Sequence, residues 1–354
     1  MRIAFLSRWN ATCGVSFHAE LVSKELMKRG HSVLVFAPDL ESAGRWWHHK
    51  VIREDENYVK RVYREVSPQG EDGGLDLEEI IKEDFDLLLV ESYEKLPYKD
   101  VEILIKRLKE KGVPAIAVIH EGLKEEVGYN LNLFDRVVVF DFRFVKEVVS
   151  SIDPEKVVEI PYPCIPPVKR TRKFAEDSRI IFTSFGRQPI EEYEDFIEVL
   201  ERIREKYPNI IYRIVRSGEP ISIAKEWITQ ERRILDLEDI YRLLGSADIH
   251  LLPKGNTKRV VVSSTFCQTA GSLCPVVSRR SRFFETLEAE SSTPIVLYKD
   301  RKDLEKKILM LIEDDRFRKK IVENMKRYAE ENSVSRVVDR FESLFNSVLI
   351  EDIK

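Results

Sequence analysis

The feature of this sequence that most constrains its fold is a repeated alternation of short, valine- and isoleucine-rich runs with longer amphipathic segments. Runs that are apolar along their whole length are typical of strands buried on both faces of a sheet. In the first half these runs are RIAFL (2–6), SVLVFAP (32–38), LLLV (87–90), AIAVIH (115–120) and RVVVF (136–140). Because strands that alternate with helices form parallel sheets covered on both faces, this half predicts a doubly wound α/β domain.

A break follows at residues 159–174, EIPYPCIPPVKRTRKF, where no periodicity is present. The repeated prolines indicate a linker. Its basic cluster, Lys169 to Lys173, is interpreted as a solvated hinge, with contact to anionic lipid as the alternative. The alternation then restarts, and its apolar runs are RIIFTSF (179–185), IIYRIVR (210–216), IHLLP (249–253), PVVS (275–278) and PIVLY (294–298).

This order predicts two Rossmann-like, doubly wound parallel-sheet domains that face each other across a ligand-binding cleft. The predicted domains are residues 1–165 and 166–330, and residues 331–354 are predicted to form a helix that crosses back to the first domain. A chain of 354 residues is long enough for two domains of ordinary size.

Composition excludes several classes of function. The 58 basic and 62 acidic residues nearly cancel, which argues against a general nucleic-acid-binding protein. The four cysteines are dispersed, so neither a zinc site nor a disulfide framework is predicted. Without a signal peptide or a membrane-spanning run, we expect a cytoplasmic protein. The abundance of Lys, Glu and Arg over Gln resembles thermophile proteins.

One stretch, GNTKRVVVSSTFCQTAG at residues 255–271, indicates a loop that leads into a helix. The first N–H groups of a helix are unpaired and its dipole is positive there, so such a place can bind an anion. Lys258 and Arg259 would add charge, and Ser263, Ser264 and Thr265 would add hydroxyl donors. The alternative interpretation is a surface loop capped by an ordinary serine.

Three longer stretches carry more specific patterns. They are RIAFLSRWNATCGVSFHAELVSKELMKRGHSVLVFAPD near the start, IIFTSFGRQPIEEYEDFIEVLERIREKYPNIIYRIVRSGEP after the linker, and LEDIYRLLGSADIHLLPKG continuing to GSLCPVVS. Their order and spacing resemble the GT-B glycosyltransferases of the retaining, nucleotide-sugar-dependent superfamily that includes glycogen and sucrose-phosphate synthases. The resemblance extends, with gaps, over almost the whole chain.

The resemblance implies a metal-independent enzyme without a cofactor. A nucleotide sugar would bind to the second domain, and a sugar, glycan or lipid-linked acceptor would bind to the first. In this family the residue 255–271 region points a helix start at the donor diphosphate, which backbone amides and cations stabilise. Transfer with retention is usually explained by a front-face mechanism, in which the departing phosphate oxygen takes the acceptor's proton.

The family pattern also places single residues in the site. Gly14 would let the backbone approach the donor diphosphate, or it is a plain turn glycine. His120 would orient the sugar or stabilise the transition state, or it is a core histidine. Trp46 and Trp47 would stack on the acceptor, or they pack in the core. Gly218, in the turn after residues 210–216, would lie near the nucleobase, or it belongs to an ordinary turn.

Two departures from the family concern the donor. The family has two glutamates eight positions apart, and these positions fall on Val260 and Gln268, or on Thr257 and Thr265, depending on the direction of alignment. Gln268 could still hydrogen-bond a ribose hydroxyl.

The second departure concerns a pair of cations on the diphosphate. Arg187 matches the family's arginine, but the lysine five positions later is Glu192 here. Lys258 or Arg259 would have to supply the missing cation. The leading prediction is therefore a glycosyltransferase, and the alternative is an inactive GT-B relative that binds a sugar nucleotide or glycan or serves as a partner subunit.

Overall fold

The computed structural model describes residues 1–46, 50–67, 69–70, 73–288 and 292–351. The chain divides into two compact units. The first contains Met1–Pro163, Arg259–Ser264 and Asn332–Lys354, and the second contains Cys164–Lys258 and Thr265–Glu331. The residue 255–271 stretch is therefore shared, since its middle belongs to the first unit and its two ends to the second.

The first unit is built around a sheet with the strand order β4-β3-β2-β1-β5-β6-β7-β8. All neighbouring strands are parallel except the short antiparallel pair of β3 and β4. The strands are β1 (Arg2–Leu6), β2 (Ser32–Pro38), β3 (Val59–Arg64), β4 (Gly74–Leu75), β5 (Leu87–Ser92), β6 (Ala115–Ile119), β7 (Arg136–Val139) and β8 (Val157–Glu159). The helices are α1 (Gly14–Lys28), α2 (Leu40–Gly44), α3 (Leu77–Ile81), α4 (Tyr98–Glu110), α5 (Phe142–Glu147) and α12 (Val334–Glu351).

The central strands β5 and β6 are buried along their whole length, as their apolar sequences predict. The C-terminal helix α12 packs on α1. The Arg29 guanidinium at the end of α1 donates to Asp339 at 2.7 Å and to Glu342 at 2.6 Å on α12. The last helix of the chain thus packs against the first helix of the first unit.

The second unit contains a parallel sheet with the order β11-β10-β9-β12-β13-β14. Its strands are β9 (Ile180–Gly186), β10 (Ile210–Arg216), β11 (Ile228–Arg232), β12 (Ile249–Leu252), β13 (Val276–Arg279) and β14 (Val296–Tyr298). Its helices are α6 (Glu191–Arg204), α7 (Leu237–Gly245), α8 (Ser264–Ala270, whose first residue lies in the first unit), α9 (Glu285–Glu288), α10 (Arg301–Glu313) and α11 (Asp315–Glu331).

The two faces of the second sheet carry separate apolar clusters. On one face Tyr212 and Ile214 of β10 join a large cluster with α6 and α10. On the other face Ile181 and Val215 pack under α7. Alternation along β10 therefore directs neighbouring residues to different helices, as the period of two requires.

The predicted doubly wound α/β class is confirmed, and the predicted strands agree with the observed ones to within two residues at each end. Four strands escaped prediction, namely β3, β4, β8 and β11. Each lies at or beside a sheet edge, and β11 (ITQER) is largely exposed, so its sequence lacks a continuous apolar run. Among the described residues, no helix is both long and apolar enough to cross a membrane.

We expect Gly271→Ala to destabilise the second unit. A β-carbon there would collide with the Ile165 carbonyl oxygen and lie 2.6 Å from that of Pro166, so the linker would have to move. Overpacking of this kind costs about 1–3 kcal/mol. Gly245→Ala is the matched control because a β-carbon added at Gly245 would meet no atom within 4 Å. Urea unfolding that shows equal stabilities for the two variants would contradict the prediction.

Candidate functional site

Polar side chains of the first unit collect where β5 and β6 end, beside the reversal of strand order between β1 and β5. The carboxylate of Glu91, on β5, lies between two imidazoles. His18 Nδ1 is 2.8 Å from Glu91 Oε1, and His120 Nε2 is 2.6 Å from Glu91 Oε2. His18 and Glu91 are fully buried, while 9% of the His120 side chain is exposed. The structure thus brings the predicted His120 together with two residues that sequence reasoning missed.

Electrostatics determine how protons are distributed in this cluster. Burial alone would raise the pKa of Glu91, but the charge of His18 and the hydrogen bonds from both imidazoles outweigh it and lower that pKa to about 2. Burial lowers the pKa of His120. An ionised carboxylate only accepts hydrogen bonds, so His18 donates through Nδ1–H and His120 through Nε2–H. Neutral His120 then presents Nδ1 as its acceptor nitrogen.

The same three residues form a group that could ligate a metal ion, since their ligand atoms lie within 4.8 Å of one another. A metal would require both histidines to give up the N–H bonds that now satisfy Glu91. The other ring nitrogen of His18, Nε2, does not contact Glu91 and is buried without a hydrogen-bond partner. The arrangement fits an orienting network for His120 without an ion.

A second buried carboxyl, Glu121, follows His120 directly. Its Oε1 accepts hydrogen bonds from the hydroxyls of Ser92 and Tyr98, the latter at 2.9 Å. Its Oε2 is buried without a partner. Burial raises the pKa of Glu121 to about 7, and the two hydroxyl donors only partly oppose that effect. This carboxyl therefore changes its charge close to neutral pH.

Residues 259–264 lie against the carboxyl edge of the first sheet. Val260 donates its N–H to the Gly122 carbonyl at 2.9 Å, and Arg143 donates to the Val261 carbonyl at 3.1 Å. A β-carbon on Gly122 would lie 2.6 Å from the Val260 carbonyl oxygen. One on Gly14 would lie 3.2 Å from the Ser264 side chain. Glycine at position 122 is thus needed for the close approach of this segment, whereas a β-carbon on Gly14 would require Ser264 to shift by a few tenths of an ångström.

The predicted donor residues of the 255–271 stretch are divided between the two units. Arg259 pairs with Glu126 at 2.7 Å and with Glu94 at 3.5 Å in the first unit. Lys258 is exposed. Helix α8 begins at Ser264 and is only seven residues long. Of the remaining predicted residues here, Ser263 is buried, while Thr265 and Gln268 are half-buried.

Trp46 is held within the first unit. Its indole N–H donates to Glu65 Oε2 at 2.6 Å, and Lys95 lies 4.7 Å from the centre of its ring. The buried Glu65 carboxylate also pairs with Arg8 at 2.5 Å. Stacking of Trp46 on an acceptor remains a prediction, and Trp47 lies outside the described residues.

In the second unit the cations lie at the carboxyl ends of β9 and β12, where the strand order reverses. Arg187 follows β9, and Lys254 follows β12 after Pro253. Burial lowers the pKa of Lys254 to about 8, with Glu192 opposing the shift and Arg187 adding to it. The charges of Arg187 and Lys254 therefore act on each other at this edge.

Glu192, the acid at the position of the family's lysine, belongs to the same group. A β-carbon on Gly255 would lie 2.5 Å from Glu192 Oε1, so the Glu192 carboxylate would have to shift to accommodate it. The Gly255 N–H hydrogen-bonds the Glu192 carboxylate, although burial still raises the pKa of that carboxyl. Glu192 Oε2 is buried without a partner. The charge of Glu192 therefore acts on Lys254, the cation in the loop after β12.

Gly218 lies in the turn after β10, and a β-carbon added to it would lie 3.9 Å from Arg216 Nη2. The Arg216 guanidinium donates to the carbonyls of Gln188 and Glu219, both at 2.9 Å. It therefore links the loop after β9 to the loop after β10.

The sequence contained one signal for Lys254, because this residue directly follows a buried strand and Pro253. The residues whose charges act on it, Glu192 and Arg187, are distant in sequence.

No family model matches the chain. Solved structures with the GT-B fold are similar to it. Anabaena HepE in complex with UDP and glucose has a TM-score of 0.65 at 14% identity, over 98% of this chain and 100% of that one. S. aureus MnaA with UDP has a TM-score of 0.58 at 14% identity, over 96% and 94% of the two chains.

A chain of the GtfA/B complex is similar over 77% of this chain with a TM-score of 0.57 at 15% identity. The match spans 59% of that relative, which is less than two thirds of its length. The predicted GT-B architecture is confirmed by these likenesses, which at such identities concern the fold.

The buried Glu121 predicts a pH-dependent stability. Its pKa is about 7 in the folded protein and 4.5 for an ordinary glutamate. Between these values the unfolded chain has lost the proton that the folded protein retains, so stability falls as pH rises from 4.5 to 7. The fall amounts to about 3 kcal/mol at most. In Glu121→Gln this component should be absent from urea-unfolding free energies, whereas the exposed control Glu125→Gln should retain it.

Proposed function

We propose that this protein is a glycosyltransferase that moves a sugar from a nucleotide-sugar donor to an acceptor, without a metal ion and with retention of anomeric configuration. The donor diphosphate would bind at the carboxyl edge of the second sheet, on Arg187 and Lys254. The acceptor would be a sugar, a glycan or a lipid-linked saccharide at the carboxyl edge of the first sheet. The GT-B fold, and similar structures that contain UDP or UDP-glucose, support this class of donor.

The observation that carries the proposal is the position of Lys254. Doubly wound sheets bind ligands at the carboxyl ends of the strands where the order reverses, and Lys254 lies at that point of the second sheet. It forms no salt bridge with a described carboxylate, and its ammonium lies over the Phe283 ring at 4.7 Å. A partly desolvated cation interacts strongly with an incoming anion, because water screens the attraction less.

The orphan oxygen of Glu192 complements this charge. A buried acceptor without a partner favours a ligand that brings hydroxyl or N–H donors. Phosphates on Lys254 and Arg187, with a hydroxyl on Glu192, match a molecule that contains both a diphosphate and a sugar. The other residues assigned to the donor remain predictions, and they are Lys258, Arg259, Ser263, Ser264, Thr265, Gln268, Gly14 and Gly218.

His120 is the proposed catalytic residue of the first unit. Glu91 holds its ring by the 2.6 Å hydrogen bond and specifies its tautomer. A rigid neutral imidazole can orient a sugar hydroxyl without adding a charge, and the departing phosphate oxygen would take the acceptor's proton. Binding energy would then be used to hold the sugar in the orientation in which its bond to the phosphate oxygen breaks.

A second candidate function is nucleotide-sugar or glycan binding without transfer, in an inactive relative or a partner subunit. Val260, at one of the positions where the family carries glutamate, is buried and donates its N–H to Gly122. Position 260 is therefore occupied by a packed apolar side chain.

A panel of nucleotide sugars distinguishes the two functions. A raised unfolding temperature together with slow donor hydrolysis supports transfer, and a raised unfolding temperature without turnover supports binding alone. No stabilisation by any member would eliminate both.

We expect Lys254→Met to weaken binding of UDP-glucose or UDP about tenfold to a hundredfold, since charge-assisted hydrogen bonds contribute about 1.5–3 kcal/mol. Isothermal titration calorimetry at pH 7 measures this. Lys320→Met, which removes an exposed lysine of α11, is the control.

The wild-type affinity should also fall between pH 7 and pH 9, because the Lys254 ammonium loses its proton near pH 8. The charged groups that act on it are Glu192 and Arg187, and Glu191 acts on Glu192 in turn. Because the fall is assigned to the Lys254 ammonium, it should vanish in Lys254→Met. An identical pH profile in the variant would count against a phosphate contact.

His120→Ala should reduce kcat for donor hydrolysis or transfer by about a hundredfold while the dissociation constant for the nucleotide changes little. The reason is that an oriented imidazole acts on the sugar and not on the nucleotide. Glu91→Gln should produce part of this loss through misorientation. Equal kcat values for wild type and His120→Ala would remove the histidine from the mechanism.

A further inference from the structure

A cavity of about 570 Å³ lies on the second unit, toward the amino ends of its strands. It is formed between the linker, the start of β9 and the end of α7. Arg187 follows the opposite, carboxyl end of β9, so the cavity is separate from the proposed donor site. Its basic lining residues are Lys169, Arg170, Arg172, Arg179, Arg213 and Arg242. Glu176 is the acidic residue among them.

The fold explains why the cavity exists. Arg213 alternates with the buried Tyr212 and Ile214, so its side chain leaves the sheet on the face that α7 covers. Helix α7 ends at Gly245 and leaves the amino part of that face open. The linker runs over this part and adds its basic residues, while the half-buried Tyr241 contributes an aromatic wall.

Some of these charges have partners within the protein. Arg172 pairs with the buried Asp248, which it contacts at 3.1 and 3.2 Å. Arg242 pairs with Glu238 at 2.8 Å and Asp239 at 3.0 Å on its own helix. Arg179 reaches Asp177 at 3.3 Å, but both side chains are at least half exposed, so that pair contributes little.

Three cations remain without a salt bridge to any described carboxylate: Lys169, Arg170 and Arg213. Arg170 donates to the carbonyls of Leu244 and Ala247 at the end of α7. Arg213 donates to Ser246 Oγ at 3.2 Å. Burial and the charges of Arg172 and Arg179 lower the pKa of Arg213, and the charge of Asp248 opposes the shift only in part. Like charges gathered in a partly buried place repel one another, and a bound anion would offset that cost.

We infer that this cavity binds a phosphate-bearing anion with at least two negative charges, held by Arg170, Arg213 and Lys169. Guanidinium groups form paired hydrogen bonds to phosphate oxygens, and arginine is the side chain best suited to this geometry. The volume exceeds what inorganic phosphate needs, so the anion is an organic phosphate or diphosphate whose remaining atoms lie against Tyr241. Such a phosphate can come from a soluble ester or from a lipid headgroup.

Calorimetric titration with pyrophosphate in low-salt buffer tests the site. Wild type should bind at two classes of site, one lost in Lys254→Met and the other weakened at least about tenfold in Arg213→Gln, in line with the loss of one charge-assisted contact. Lys169→Gln, a change at an exposed residue, should weaken the second class to a smaller extent. Arg316→Gln, which removes an exposed arginine of α11, should change neither class.

Thermal unfolding distinguishes an anion site from arginines that only brace the fold. Without added phosphate, Arg213→Gln should unfold at the same or a higher temperature than wild type, because repulsion is relieved and glutamine can still bond Ser246. Pyrophosphate should raise the unfolding temperature more for wild type than for the variant. A lower unfolding temperature for Arg213→Gln together with unchanged pyrophosphate affinity would overturn the inference, as would a titration in which Lys254→Met abolishes all binding.

Sedimentation with phosphatidylcholine vesicles that contain phosphatidic acid identifies the source of the phosphate. Vesicle binding that Arg213→Gln abolishes identifies a lipid headgroup. Pyrophosphate binding that Arg213→Gln weakens, without any vesicle binding, identifies a soluble ester. Both results support the cavity as a phosphate site. Vesicle binding that survives Arg213→Gln, with pyrophosphate affinity also unchanged, contradicts it.

Discussion

The reversal of strand order in each parallel sheet is the constraint from which the candidate sites follow. On either side of the reversal the connecting helices lie on opposite faces, so the loops after the two central strands diverge and leave an opening at the carboxyl edge. The reversals fall between β1 and β5 and between β9 and β12. Glu91 and His120 lie near the first, and Arg187 and Lys254 lie at the second. Residues far apart in sequence become neighbours because parallel strands end at one edge.

Burial gives these groups their chemical character. The same desolvation acts on Glu91, Glu121 and Lys254, with different outcomes. Two imidazoles keep Glu91 ionised, with a pKa of about 2. Glu121 has only hydroxyl donors, and its pKa rises to about 7. Lys254 lies near one acid and one cation, and its pKa falls to about 8. The partners of each group determine the direction and size of its pKa shift on burial. As a result, two of the three groups titrate close to neutral pH.

The departures from the family pattern have a common structural basis. Residues 259–264 pack on the first unit through Val260, Val261 and Ser264, and Gly14 and Gly122 leave room for them. A glutamate in place of Val260 would have to be buried there. In the second unit Glu192 stands where the resemblance implies a lysine, and it acts on Lys254 in the loop after β12. Both departures from the resembled pattern therefore fall at positions that the fold already packs or pairs.

The α/β class and the central strands follow from the sequence alone, while the roles assigned to Gly14 and His120 remain predictions. Continuous apolar runs and helical spacing are local signals, and burial on both sheet faces leaves little alternative for such runs. Which charges meet depends on the three-dimensional fold. It placed His18 and Glu91 behind His120, Lys254 beside Arg187, Arg259 against Glu94 and Glu126, and the linker's arginines beside Arg213. These are contacts between residues separated by many positions, and electrostatic energy depends on distance and burial, which no local pattern in the chain encodes.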